Sequence, residues 1–343
     1  MKTPPLPPGT LDRLPGLADL GRTATRLHPR PGAVGVRDSH VGGPLWWPAD
    51  EPRPTCEHPY MVREEVPIPA ELVDRMRAAE ARRTVAHQLA DGERELRDEI
   101  ADLVGPGFTG WGSRDGGPMV GYRYVARPHP TPHPMLPVAQ LRADDVPDLP
   151  RPGGADLLQV LWCPFEHQQT RSWGPTVSLH WRREAELTGV PTEPPTGEIG
   201  EIGNEVYRPR PCRLHPEQVV EYPYPEELPE ELRGRVDDDY VSTFMMPGWK
   251  VGGYANWSVT DPHETPCPSC AGPTGLTLVV DSKEYDGGTR DRWRPVEEQH
   301  LEWADPERFD SQEPTGVQVG RWGALRIFTC PRCPDTPFLL DVQ

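Results

Sequence analysis

Ser39-His40-Val41-Gly42-Gly43-Pro44 returns, with its centre intact, as Trp249-Lys250-Val251-Gly252-Gly253-Tyr254. Each copy is followed by an alternating apolar run that ends in Cys-Pro. The first is Leu158-Gln159-Val160-Leu161-Trp162-Cys163-Pro164 and the second Leu325-Arg326-Ile327-Phe328-Thr329-Cys330-Pro331. Period-two alternation marks a strand, and a Gly-Gly pair marks a tight turn. From Gly43 to Cys163 is 120 positions, or 84 once the 36 residues 69–104 are set aside, against 77 from Gly253 to Cys330. Two matches in one order at comparable spacing predict a duplicated unit.

Residues 69–104 carry the one long helical pattern. Leu72, Met76, Leu89, Leu96, Ile100 and Leu103 recur at roughly helical spacing after Pro69, which suits a first helical turn, and Gly92 is a point of division. Elsewhere turn signals separate short strand candidates at 119–126, 138–141, 157–162, 176–181, 276–281, 318–320 and 324–329. His129-Pro130-Thr131-Pro132-His133-Pro134 reads as a stiff linker with exposed rings, metal binding by its histidines being the alternative. The expected fold class is α+β: two similar antiparallel-sheet-containing repeats, with a helical insertion in the first and a zinc-tied second. The expected parts are a Pro-rich N-terminal arm, 1–33; a first repeat, 34–185; an acidic Pro-rich connection, 186–240; and a second repeat, 241–343.

Composition agrees with short elements and many turns. Among 343 residues, 46 are Pro and 33 Gly, about 23%, where average usage gives roughly 12%. So many prolines exclude a long coiled coil or an all-helical bundle, and glycines without a triplet period exclude collagen. The net charge of −17 argues against a duplex nucleic-acid surface, which needs clustered cations. Nine acidic residues fall between Pro216 and Tyr240, against Arg233 and Arg235. They read as a solvated connection or as a docking strip for a basic partner. No apolar run approaches 18 residues and the first residues lack a signal-peptide core, so a cytoplasmic protein away from membranes is expected.

The Gly-Gly elements, Trp47-Pro48, Leu136-Pro137-Val138-Ala139-Gln140-Leu141, and Gly252-Gly253-Tyr254 followed by Trp257 together resemble the YwqG-like family, bacterial proteins grouped under a domain of unknown function. The resemblance spans about residues 34–343. It implies a compact α+β fold of two similar halves, with no established chemistry and a partner-binding or toxin-immunity role in some relatives. It points to Gly42, Gly43, Trp47, Gln140, Gly252, Gly253 and Trp257 as ligand-binding candidates. Val279 stands where the second half would carry a match for Gln140, and the paired cysteines are an elaboration.

Cys267-Pro268-Ser269-Cys270 and Cys330-Pro331-Arg332-Cys333 are two C-x2-C knuckles. Together they offer four thiolates, the donor set of a closed structural zinc site. Iron uses the same spacing, and redox dithiols or unrelated buried thiols are the other readings. The 59 intervening residues exceed the 15 to 20 or so of a compact zinc ribbon, so a folded segment must lie between the knuckles. A metal there would tie the first loop of the second repeat to its last strand. Cys56-x-His58, Cys163-x3-His167 and Cys212-x2-His215 form a weaker set, readable as packing, as a second metal site or as a reactive thiolate.

No phosphate-binding loop, G-x-S-x-G elbow or H-E-x-x-H pair occurs. Asp38-Ser39-His40 has the residue types of a hydrolase triad, but sequence neighbours rarely achieve its geometry. Two functions remain: a non-catalytic, zinc-stabilised protein binding a partner protein or small ligand, and an enzyme of unknown reaction in a cleft between repeats. For the second, His40, Cys163, His167 and Gln140 are the candidates.

Overall fold

A computed structural model describes residues 1–83, 88–113, 116–168, 173–188, 203–302 and 304–343. Residues 189–202 of the expected acidic connection lie outside the described residues. Two compact units emerge: residues 57–131, and residues 1–56 with 132–343. The protein is mixed α and β. Among the described residues no helix is long and apolar enough to cross a membrane.

The larger unit holds two six-stranded sheets, antiparallel at every pairing. One runs Glu217–Glu221, Arg22–Arg26, Lys250–Gly252, Gly275–Asp281, Ala324–Thr329, Phe338–Val342. The other runs Arg30–Pro31, Cys212–Arg213, His40–Val41, Leu136–Arg142, Leu157–Trp162, Val177–Arg182. In each order the Val-Gly-Gly strand is third and the strand leading to Cys-Pro is fifth. The second strand alone comes from the distant part of the chain: Arg22–Arg26 joins the later sheet, Cys212–Arg213 the earlier. The 1–33 stretch, read as an arm, thus supplies strands to both sheets.

Alternation along the strands decides which side chains are shared. Val138, Leu158, Val160 and Trp162 from one sheet and Leu278, Val280, Leu325 and Ile327 from the other belong to one buried core. Trp162 is fully buried, and its indole N–H donates to the Tyr207 carbonyl at 2.8 Å, which removes the cost of an unpaired donor. The 318–320 candidate is no strand; Val319 makes only an isolated bridge to Gly323.

The smaller unit is more than a helical insertion. Its helices, Ala70–Glu80 and Glu93–Val104, come with a three-stranded sheet ordered Tyr60–Pro67, Met119–Arg127, Phe108–Ser113. Ile68, Leu72, Met76, Leu96, Ile100 and Val104 make its core. Gly92 divides the helices in the left-handed region, at φ +73°. Leu89 and Leu103, expected on the buried face, are 42% and 45% exposed. Leu89 precedes the second helix, and Leu103 falls outside the Leu96, Ile100, Val104 stripe.

Candidate metal centre

The strand Ala324–Thr329 delivers Cys330 at its end, where the Cys330 N–H donates to the Pro337 carbonyl at 2.9 Å. The other knuckle is a narrow loop closed by the Pro266 and Pro273 bridge. Within it the Cys267 N–H donates to the Gly272 carbonyl at 2.7 Å, and Ala271 takes φ +54° to turn the chain. A Cβ on Gly272 would fall on the Arg332 guanidinium, so glycine lets one knuckle close over the other. All four Sγ atoms lie within 4.8 Å of one another. Cys267 to Cys333 is 3.9 Å and Cys270 to Cys330 is 3.8 Å.

These distances test the fit to a metal. Four zinc–sulfur bonds of about 2.3 Å at tetrahedral angles put neighbouring sulfurs about 3.8 Å apart. A disulfide would need about 2.05 Å. Backbone N–H groups turn toward the sulfurs as well, Ser269 N donating to Cys267 Sγ at 3.4 Å. The Arg332 N–H lowers the Cys330 thiol to about 6 against the opposing effect of burial, helped by the Cys333 N–H. Hydrogen bonding to Cys270 pushes Cys333 up to about 12. Amides thus favour the thiolate form in this cluster, and four ionised sulfurs so close together would need a cation between them. The cluster is able to hold a metal, and four sulfur ligands would leave no open position.

The weaker Cys and His set is divided by the fold. Cys56, Cys163 and His167 come together, their ligand atoms within 4.8 Å. Cys56 Sγ is 3.7 Å from His167 Nε2, and the Cys56 contact followed by burial drives the Cys163 thiol strongly up. His58 is exposed and outside this group. Cys212 also stands apart, packed in the main core with its thiol donating to the Pro314 carbonyl at 3.3 Å, and burial raises it to about 12.

The remaining candidates are largely engaged in loop closure. Gln140 is fully buried: its Oε1 accepts from the Trp46 N–H at 2.8 Å and from Gln159 Nε2 at 2.9 Å, while its Nε2 donates to the carbonyls of Val36 and Asp38. All four hydrogen-bonding positions of the amide are therefore used. His40 Nδ1 accepts from the Gly43 N–H at 3.1 Å and Nε2 donates to the Pro44 carbonyl at 3.0 Å. Burial lowers its pKa to about 4, opposed by that Pro44 bond, so the ring is neutral and both nitrogens are taken. Gly42 sits at φ +66°, pressed against the backbone of Pro209 and Arg210. Trp47 is 2% exposed beneath the Arg182 guanidinium, 4.5 Å from its ring centroid.

The second Gly-Gly loop is built alike. Lys250 Nζ donates to the Tyr254 carbonyl at 2.7 Å, as His40 does to Pro44, and to Glu221 Oε1 at 2.5 Å. Arg326 donates to the Asn256 carbonyl at 2.5 Å, as Gln159 does to Trp46 at 2.8 Å. Trp257 lies beneath Arg326 at 4.3 Å. Val279 pairs with Lys250 as Gln140 pairs with His40, so Val279 holds the Gln140 position without its polar group. Gly252 and Gly253 both take φ +75°, and a Cβ on Gly253 would strike the Glu221 carboxylate.

Beside this loop and the first knuckle lies an open cleft of about 450 Å³, whose lining includes Arg22, Gly253, Tyr254, Trp257, His263 and Phe328. Arg22 covers the Tyr254 ring at 4.4 Å, and His263 Nε2 is 3.0 Å from Asp341 Oδ2. Gly253 and Trp257 thus share the cleft, whereas Gly42, Gly43, Trp47, Gln140 and Gly252 do not line it. Sequence reading missed Arg22, hidden in the supposed arm, and His263, which belongs to no motif. No family model matches the chain, and no curated protein matches it.

Proposed function

We propose that this chain is a zinc-stabilised, non-catalytic binding protein of the YwqG-like kind. In this reading zinc sits on Cys267, Cys270, Cys330 and Cys333, and the aromatic cleft beside them takes a partner protein or small ligand. The observation that carries it is the four-sulfur cluster with edges of 3.8 and 3.9 Å, which matches a zinc tetrahedron. Duplication of the halves is part of the proposal. Matching strand orders, the two loops closed onto the carbonyl four residues on, and the paired positions of Trp47 and Trp257 support it. A binding role is favoured over catalysis because His40 and Gln140 have their polar atoms committed to loop closure. Seven cysteines without a disulfide favour a reducing, cytoplasmic setting.

Metal analysis of the purified chain tests the zinc assignment: Cys267→Ser with Cys330→Ser should remove one zinc per chain and lower the unfolding temperature. A wild type that is metal-free yet fully folded and equally stable contradicts it. Capture from native extract tests the cleft. Wild type should retain one stoichiometric protein or metabolite that Trp257→Ala releases, and retention of neither opposes the binding role.

A further inference from the structure

A second group of metal-type ligands sits in the first half, at the place where the second half carries its cysteines. We propose that Cys56, Cys163 and His167 hold a second structural zinc. The proposal rests on the duplication and on the zinc reading of the four-cysteine centre, and its test separates the two sites.

Geometry and burial support it first. The three ligand atoms lie within 4.8 Å of one another, and Cys56, Cys163 and His167 are 1%, 0% and 3% exposed. Zinc bonded to sulfur at about 2.3 Å and nitrogen at about 2.05 Å places the two about 3.6 Å apart at the tetrahedral angle. Cys56 Sγ and His167 Nε2 are 3.7 Å apart. Leu45, Trp47, Met135 and Leu161 form the surrounding apolar cluster, in which two thiolates require a cation to be stable.

Position supports it independently. Cys56 follows Gly43 by 13 residues and Cys267 follows Gly253 by 14. Thr55 pairs with Pro134 two residues before the strand Leu136–Arg142, and Pro266 pairs with Pro273 two residues before the strand Gly275–Asp281. Cys56 and Cys267 each come directly after such a pairing. Cys163 and Cys330 each follow the fifth strand of their sheet, with His167 four residues on in one case and Cys333 three residues on in the other. Cys270 falls in the loop that, in the first half, is replaced by the chain from 57 to 133. The inserted unit therefore breaks the knuckle motif in sequence. A further side chain or a water fills the fourth position.

Zinc per full-length chain, measured by mass spectrometry of the metal, is the test. Wild type should carry two zincs, Cys56→Ser with Cys163→Ser one, and His167→Cys two, because thiolate replaces imidazole as a ligand. One zinc in wild type, lost with Cys267→Ser and Cys330→Ser but untouched by Cys56→Ser and Cys163→Ser, overturns this proposal alone. One zinc with the opposite response overturns the four-cysteine site alone, and no zinc overturns both. Should a serine variant not fold, zinc-edge X-ray absorption of wild type decides. The two sites together give an average of about three sulfurs and one nitrogen or oxygen per zinc, whereas four sulfurs per zinc rejects the second site.

Discussion

His40 is neutral because its ring is buried and Nδ1 already accepts the Gly43 N–H. His28, also fully buried, is lowered to about 3 by burial and by the Arg26 charge. Both folded pKa values lie below the unfolded value of about 6.5, so the unfolded chain takes up the protons first. Stability is therefore complete above about pH 6.5 and falls toward pH 4, by on the order of 3 kcal/mol for each histidine. His40→Asn should flatten that fall. Chemical denaturation of wild type and variant at pH 7 and pH 4.5 measures it, and parallel pH profiles would show that His40 does not titrate on unfolding. At this scale sequence gave little guidance. Cys56, Cys163 and Cys212 look equivalent as isolated cysteines beside a histidine, and only chain folding separates the first two from the third.

The Val-Gly-Gly loop was the element most legible in sequence, because glycine reports a backbone requirement directly. Its closing interactions were not legible. Lys250 and Glu221 are 1% and 0% exposed, and Glu221 also accepts from the Met246 and Tyr254 N–H groups at 3.1 Å. Lys250→Met leaves that carboxylate without its cation and should cost about 3–5 kcal/mol, read as a lower denaturant midpoint. Adding Glu221→Gln should restore part of the loss, since the neutral amide removes the unpaired charge and its oxygen can still accept one of those N–H groups. Gly253→Ala combines φ +75° with a clash against Glu221 and should cost about 1–3 kcal/mol. Near-neutral effects of both single changes would mean that the loop closes in another way. Two-residue strands such as Arg30–Pro31 and Cys212–Arg213 have no periodicity to read, and Arg22–Arg26 is too polar to announce itself as interior. In residues 57–131 the sheet strand Tyr60–Pro67 was hidden for the same reason, its alternation carried largely by charged residues.

For the whole molecule, the exchanged second strands mean that neither half completes its sheet alone. The later sheet depends on Arg22–Arg26 between Glu217–Glu221 and Lys250–Gly252. A fragment beginning at residue 241 should therefore fail to fold, even with zinc. Residues 57–131, with their own core, leave and return where Thr55–Cys56 pairs with His133–Pro134. Replacing them by a short Gly-Ser link should keep the far-ultraviolet signature of the two sheets and the four-cysteine zinc; loss of that zinc would make the unit part of the scaffold.

In the proposed function zinc joins the 267–274 loop to the turn between the strands Ala324–Thr329 and Phe338–Val342. Hydrogen exchange of the full chain, with metal and after chelation, reads that directly. Protection should fall in 267–274 and 330–343, while the Leu157–Trp162 strand exchanges more slowly than both. Unchanged protection across those segments after complete removal of zinc would mean that no metal joins them.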